Sequence, residues 1–305
     1  MAELRLRIGT RGSPLALVQA NETRDRLARA HGVDPAAFEI VVIKTSGDLI
    51  QDRALSEAGG KGLFTKEIDA AMLRGEIDIA VHSSKDLPTL LPEGIEVVGY
   101  LEREDPRDAL ISPRAARFED LPQGARLGTA SLRRQAIAKR LRPDLEISLL
   151  RGNVETRLKR AESGEIDATL LAYAGLKRLG LADRATAVLD VDVFVPAVGQ
   201  GAIGITARSG DGAAASALAP ILHVDTGVAL AAERAFLTAL DGSCKTPIAG
   251  HARLFDGSVK FHGILLRPDG SKAWEIRGIG PPDRAADLGR SAGEELKERE
   301  AAGAK

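Results

Sequence analysis

Cysteine is nearly absent. The 305 residues contain one, Cys244, so no internal disulfide can form. Without a CxxC pair or a clustered histidine partner, that cysteine also argues against structural zinc, and no metal site is expected. The five histidines are scattered and read as structural. Aromatic residues make up only 3% of the chain, which leaves little for stacking on nucleic acid bases. Neither sign of charge prevails: 42 Lys and Arg stand against 43 Asp and Glu, so nothing draws the whole molecule to nucleic acid or a membrane surface. No run approaches the roughly 20 apolar residues of a membrane span. Met-Ala-Glu-Leu-Arg leads directly into an apparent strand without an apolar leader, so the expected location is the cytoplasm.

What is present is a globular composition, 44% hydrophobic and 28% charged, with 32 glycines for turns and close contacts. The length suits two or three domains. A strand over 4–9 leads to Thr10-Arg11-Gly12-Ser13-Pro14, where Ser13 is a good N-cap and Pro14 a good first residue for a helix over 15–30 ended by Gly32. A strand over 38–44 precedes a long glycine-rich stretch, 45–62, without periodicity. It reads as a mobile cover with Lys61 and Phe64 at its hinge. A helix over 63–74 and a buried strand over 77–81 end in His82-Ser83-Ser84-Lys85-Asp86. That is either a solvated loop cap or a site at the carboxyl end of a strand. After a strand over 95–101, the charged run 102–108 reads as a crossing between domains.

The next segment echoes the first. Arg126-Leu127-Gly128-Thr129 matches Arg7-Ile8-Gly9-Thr10 and is again followed by a serine cap, Ser131. Gly164-Glu165-Ile166-Asp167 matches Gly75-Glu76-Ile77-Asp78, again between a helix and a strand, here 168–172. Two similarly built α/β domains follow, each offering a helix N-terminus at a strand end, and face to face they would form an anion-binding cleft. Between Arg126 and Arg160 ten Lys and Arg face only Asp144, Glu146 and Glu155. Arg133 and Arg134 lie in the first turn of a helix, against its macrodipole, and so call for an anion. Lys139, Arg140, Arg142, Lys159 and Arg160 read as surface charges, whereas Arg133, Arg134, Arg151 and Arg157 read as ligand contacts. Pro196 to Ala202 runs into a strand over 203–207 that returns to the first domain, and 211–219 is linker or helix start.

The last third reads as a helix capped by Asp225 or Thr226, a loop around Cys244, three antiparallel strands over 248–255, 258–266 and 272–278, and a polar helix over 284–299. Cys244 reads in two ways. It is a small buried apolar residue, or a thiol that Lys245 tilts toward the nucleophilic thiolate.

Six motifs together resemble one family: Thr10-Arg11-Gly12-Ser13-Pro14-Leu15-Ala16-Leu17, Gly59-Gly60-Lys61-Gly62-Leu63-Phe64, His82 to Pro88, Ser131-Leu132-Arg133-Arg134-Gln135, Leu150-Arg151-Gly152-Asn153 and Gly242-Ser243-Cys244. They resemble the porphobilinogen deaminases, or hydroxymethylbilane synthases, over essentially the whole chain. The resemblance implies an α/β fold of three domains: two type II periplasmic-binding-protein-like domains, 1–100 with 200–218 and 104–195, plus a small α+β domain with a three-stranded antiparallel sheet, 221–305. It implies a dipyrromethane cofactor covalently attached to Cys244 in thioether linkage, as the primer of tetrapyrrole synthesis. Four porphobilinogen molecules would be added head to tail with loss of ammonia, and hydrolysis would then release hydroxymethylbilane. By similarity Asp86 is the catalytic residue. Lys85, Ser83, Thr129, Ser131, Arg133, Arg134, Gly152 and Asn153 join Cys244 around the cofactor. Arg11, Ser13, Phe64, Arg151, Arg157 and Gln200 meet the substrate and its oligopyrrole intermediates, and Lys61 belongs to the lid. The family context implies a monomer. This chain departs from the pattern at Ala130, where a second serine is common, at Ser46, where several relatives carry a basic residue, and at Ser243, where glycine is common.

Two other classes fit parts of the chain. A non-catalytic two-domain binding module for a small carboxylate would use the echoes and the Arg cluster but not the third domain. A cysteine hydrolase would need a histidine base that no motif supplies.

Overall fold

The computed structural model describes residues 5–49, 62–241 and 246–303. Its strands, in chain order, are β1 (Leu6–Thr10), β2 (Phe38–Val42), β3 (Ile79–Ser83), β4 (Ile95–Tyr100), β5 (Asp108–Ile111), β6 (Arg126–Gly128), β7 (Glu146–Ser148), β8 (Ala168–Ala172), β9 (Ala187–Val188), β10 (Ile203–Arg208), β11 (Ile248–Phe255), β12 (Ser258–Leu266) and β13 (Ala273–Gly280). The helices are α1 (Pro14–His31), α2 (Ser46–Leu49), α3 (Lys66–Leu73), α4 (Leu132–Leu141), α5 (Val154–Glu162), α6 (Tyr173–Arg178), α7 (Gly212–Leu218), α8 (Val224–Ala239) and α9 (Ala285–Ala302). Two compact units gather them: residues 5–49, 62–104 and 202–227 in one, and 105–201, 228–241 and 246–303 in the other.

The first unit holds one five-stranded sheet, ordered β2-β1-β3-β10-β4, with β1, β2 and β3 parallel and β10 antiparallel to both its neighbours. The second holds a sheet built in the same order, β7-β6-β8-β5-β9, again with three parallel strands and an antiparallel one beside them. A separate antiparallel sheet, β11-β12-β13, lies in the second unit, so the fold is the expected α/β pair with a small α+β domain.

The sequence echoes are one packing solution used twice. A Cβ at Gly9 would lie 2.3 Å from Ile77 Cδ1, and one at Gly128 would lie 2.7 Å from Ile166 Cδ1, so each glycine makes room for the isoleucine of the matching motif. The arginines and aspartates pair likewise. Arg7 N–H donates to Asp78 at 2.8 Å, and Arg126 N–H donates to Asp167 at 2.7 Å.

Local signals place α1, whose cap Ser13 Oγ accepts from Ala16 N–H, and whose end is Gly32 in the left-handed region at φ 63°. Two readings need correction. The run 102–108 is not all crossing, because Asp108 opens β5, which is buried between β8 and β9. Of the two readings of 211–219, linker or helix start, the second holds: Asp211 caps α7 (Gly212–Leu218), and a 3-10 turn follows from Ala219. Neither Asp225 nor Thr226 caps α8: both lie inside its first turn, and His223 Nδ1 accepts from Thr226 N–H at 3.2 Å.

The antiparallel sheet uses both faces. Ala249, Ile264 and Leu266 enter the core of the second α/β sheet with Leu110, Leu127 and Phe194, while Ala252, Val259, Phe261 and Trp274 pack on α8 and α9. Where α9 meets α8 the backbones nearly touch: a Cβ at Gly289 would lie 1.9 Å from the carbonyl oxygen of Ala232. Gly289→Ala is therefore expected to destabilise by about 1–3 kcal/mol or more through overpacking. Gly227→Ala, in α8 with open space around it, should be neutral or stabilising by about 0.5–1 kcal/mol. Urea midpoints of the two variants check the contrast.

Candidate active site

In the first unit, β1 and β3 are parallel neighbours, so the residues that follow them emerge side by side. Arg11 comes from the turn after β1 and Asp86 from the 3-10 turn Ser84–Asp86 after β3. Arg11 Nη1 lies 3.6 Å from Asp86 Oδ2. Its Nε donates to Asp48 Oδ1 and Oδ2 at 3.2 and 3.3 Å, its Nη2 also meets Asp48, and Phe64 lies under the guanidinium at 4.0 Å. Ser83 Oγ donates to Gln19 at 3.0 Å, and Lys85 is exposed. His82 is buried with Nε2 3.1 Å from Thr206 Oγ1. Burial, and then the charge of Arg11, push its imidazole down to about 4, so it is neutral at neutral pH and adds no cation. Ser13 serves α1 as cap.

In the second unit, Thr129 follows β6. Its Oγ1 accepts from Ser131 N–H at 3.1 Å, and Ser131 Oγ accepts from Arg134 N–H as the cap of α4. Arg133 and Arg134 are only 5% exposed and converge on Asp108, which is wholly buried. Arg133 Nη2 meets Oδ2 at 2.8 Å, and Arg134 Nη2 meets Oδ1 at 2.7 Å. Gln200 Nε2 donates to the same Oδ1 at 3.0 Å and to the carbonyl of Pro106 at 2.7 Å. Backbone carbonyls take further donors, Val195 from Arg133 and Leu170 from Arg134. The anion that these cations called for is thus supplied by a residue of the chain, Asp108.

Burial alone would raise the Asp108 carboxyl, but the two guanidiniums outweigh it and hold the group at about 2. Burial also pulls the Arg133 guanidinium below its ordinary value, against the pull of Asp108. One carboxylate against two guanidiniums leaves a buried excess of positive charge, and Arg133 Nε is buried without a hydrogen-bond partner among the described residues. Such an orphaned charged donor suits a ligand that carries carboxylates.

The remaining predicted residues lie around the turn after β7. Arg151 is half-buried, Gly152 has φ 115°, and Asn153 Oδ1 accepts from Thr156 N–H at 2.8 Å as the cap of α5. Arg157 Nε donates to the Gly152 carbonyl at 2.8 Å. The cations read as surface charges differ in kind: Arg142 pairs with Asp144 and Arg160 with Glu165, both near the surface. Lys61 and Cys244, with most of the predicted cover, lie outside the described residues. Among the described residues no group of His, Cys, Asp and Glu could hold a metal, and no single helix is long and apolar enough to cross a membrane.

Asp48 and Asp108 are the residues that sequence reading missed. Asp108 stood in a charged run, and its one signal was the pair of arginines lacking a partner. Removing its charge would leave two buried cations uncompensated, so Asp108→Asn is expected to lose about 3–5 kcal/mol at pH 7. Because its folded value is depressed from 3.8 to about 2, the stabilisation is complete above about pH 4 and is lost as pH falls through about 2. Urea unfolding of wild type and variant at several pH values checks this: the stability gap should narrow on acidification, by about 2 kcal/mol.

Residues 6–216 match the family model "Porphobilinogen deaminase, dipyromethane cofactor binding domain", and residues 228–298 match "Porphobilinogen deaminase, C-terminal domain". The porphobilinogen deaminase of Nitrobacter hamburgensis is 59% identical over 292 residues, covering 96% of this chain and 92% of the relative. That of Nitrobacter winogradskyi is 57% identical over the same coverage. A solved nutrient binding protein from Burkholderia cenocepacia, bound to methionine, is 14% identical and covers 70% of this chain and 90% of its own at a TM-score of 0.44. On the two family models and the near relatives, the chain belongs to the porphobilinogen deaminase family.

Proposed function

We propose that this chain condenses four porphobilinogen molecules head to tail on a dipyrromethane held by Cys244 in thioether linkage, releasing ammonia at each addition, and then frees hydroxymethylbilane by hydrolysis. The observation that carries the proposal is Asp86, a half-buried carboxylate at the end of β3 with only a loose contact to Arg11. A carboxylate so placed can hold negative charge beside a pyrrole N–H while positive charge develops. That happens twice in the reaction: when ammonia leaves porphobilinogen, and when the attacking pyrrole ring is cationic before its α-proton is lost. Fixed charge in a partly desolvated site stabilises such a species more than water does.

The other residues bind and orient. Arg11 offers a guanidinium face-on to Phe64 and suits a substrate carboxylate, as do Arg151 and Arg157, with Ser13 and Gln200 as polar neighbours. Lys85, Ser83, Thr129, Ser131, Arg133, Arg134, Gly152 and Asn153 would hold the cofactor, a reading supported by the buried positive excess and the orphaned Arg133 Nε. The cofactor supplies a pyrrole α-carbon nucleophile. Lys61 would act at the lid. We read the molecule as a cytoplasmic monomer that needs neither nucleic acid nor membrane.

Asparagine at position 86 keeps the shape of the side chain and deletes its charge. Asp86→Asn should stay folded and lose about 10²–10³ in turnover, and Asp86→Glu should recover part of it. Steady-state ammonia release tests this; near-normal turnover by folded Asp86→Asn would end the assignment.

A further inference from the structure

We propose that Asp48 is a positioning residue for the reaction: it occupies the fork of Arg11 and so keeps that guanidinium from closing on Asp86. The inference rests on Asp86 being the catalytic carboxylate, as proposed above. Arg11 is offered two carboxylates and treats them unequally. Asp48 takes its Nε at 3.2 and 3.3 Å together with its Nη2, whereas Asp86 stands 3.6 Å from Nη1, beyond a normal hydrogen bond.

Asp48 is held in place from its own side. Thr45, fully buried, donates its hydroxyl to Asp48 Oδ2 at 2.8 Å. Burial pushes the Asp48 carboxyl up, but the hydrogen bonds from Arg11 and Thr45 prevail and hold it below its ordinary value, so it is an anion at neutral pH. The short segment that carries it is fixed to its surroundings. Gly47 N–H donates to the Leu63 carbonyl at 2.8 Å, and a Cβ at Gly47 would lie 2.4 Å from the Phe64 ring. Ser46 N–H donates to Glu67 at 3.1 Å. Phe64 closes the face of the guanidinium at 4.0 Å, so the cation has a wall beneath it and an anchor at its fork.

The chemical consequence follows from counting charges. Among themselves the two carboxylates and the one guanidinium sum to −1, which offsets the charge of Lys85 next to Asp86. With a neutral residue at 48 the sum is zero, and Arg11 is free to form the bidentate pair with Asp86 that arginine and carboxylate prefer. That pair would neutralise the charge the reaction uses.

The test is steady-state ammonia release by holoenzyme over a range of porphobilinogen concentrations. Asp48→Asn should lose about tenfold in kcat with KM changed by less than about threefold, and Asp48→Glu should recover most of the loss. Because Asp48 acts through Arg11, adding Asp48→Asn to Arg11→Gln should cost less than about twofold more. Thr45→Val, which removes only the hydroxyl that fixes Asp48, should lower kcat by about threefold and covers the case in which Asp48→Asn does not fold. Unchanged kcat in folded Asp48→Asn, losses that multiply in the double variant, or an unaffected Thr45→Val overturns the proposal. Asp86→Asn in the same assay tells the two readings apart. If it is inactive while Asp48→Asn is normal, only the positioning role fails; if it is active, the catalytic assignment fails and the positioning role with it.

Discussion

A wholly buried carboxylate between two buried guanidiniums ties the start of β5 to the first turn of α4 in the second unit. Asp108 begins β5, Arg133 and Arg134 begin α4, and Gln200 lies in the loop before β10, so one ionic cluster joins three distant parts of the chain. A buried ion pair is weak as a source of stability, because desolvating its members costs about as much as their attraction returns. Its use here is geometric. It fixes two guanidiniums at the first turn of a helix, where the macrodipole opposes them, and leaves an excess of positive charge. The growing product carries an acetate and a propionate on every ring, anions of the kind that such an excess suits.

The two α/β sheets share strand order, the glycine that admits an isoleucine, and the Arg–Asp clasp, yet the chemistry at their strand ends is opposite. In the first, Asp48 and Asp86 outnumber Arg11; in the second, Arg133 and Arg134 outnumber Asp108. One construction thus supplies an end that carries carboxylates, suited to a developing cation, and an end with buried guanidiniums in excess, suited to carboxylates. The polarity is set by a few loop residues rather than by the fold.

Much of this was legible from the sequence because the signals are local. Ser13 and Pro14 at one end and Gly32 at the other define α1, and Asp256-Gly257, with φ values of 50° and 68°, turn β11 into β12. The echoes worked because each pairs a glycine with the isoleucine that fills its space. Asp108 was hidden because its charge has meaning only beside Arg134, 26 residues on. Asp48 was hidden in a stretch without periodicity, where only the folded contact with Arg11 distinguishes it. The cap of α8 was missed because an imidazole, not the hydroxyl or carboxylate next to it, accepts the free N–H.

The most direct test of the account is the intact mass of the purified protein. The expected result is a mass above that of the chain by two pyrrole units, colour with an aldehyde reagent for pyrroles, and loss of both in Cys244→Ser, whose weaker oxygen nucleophile makes no thioether. An unmodified mass in protein that turns over porphobilinogen, or an adduct retained by Cys244→Ser, would contradict it.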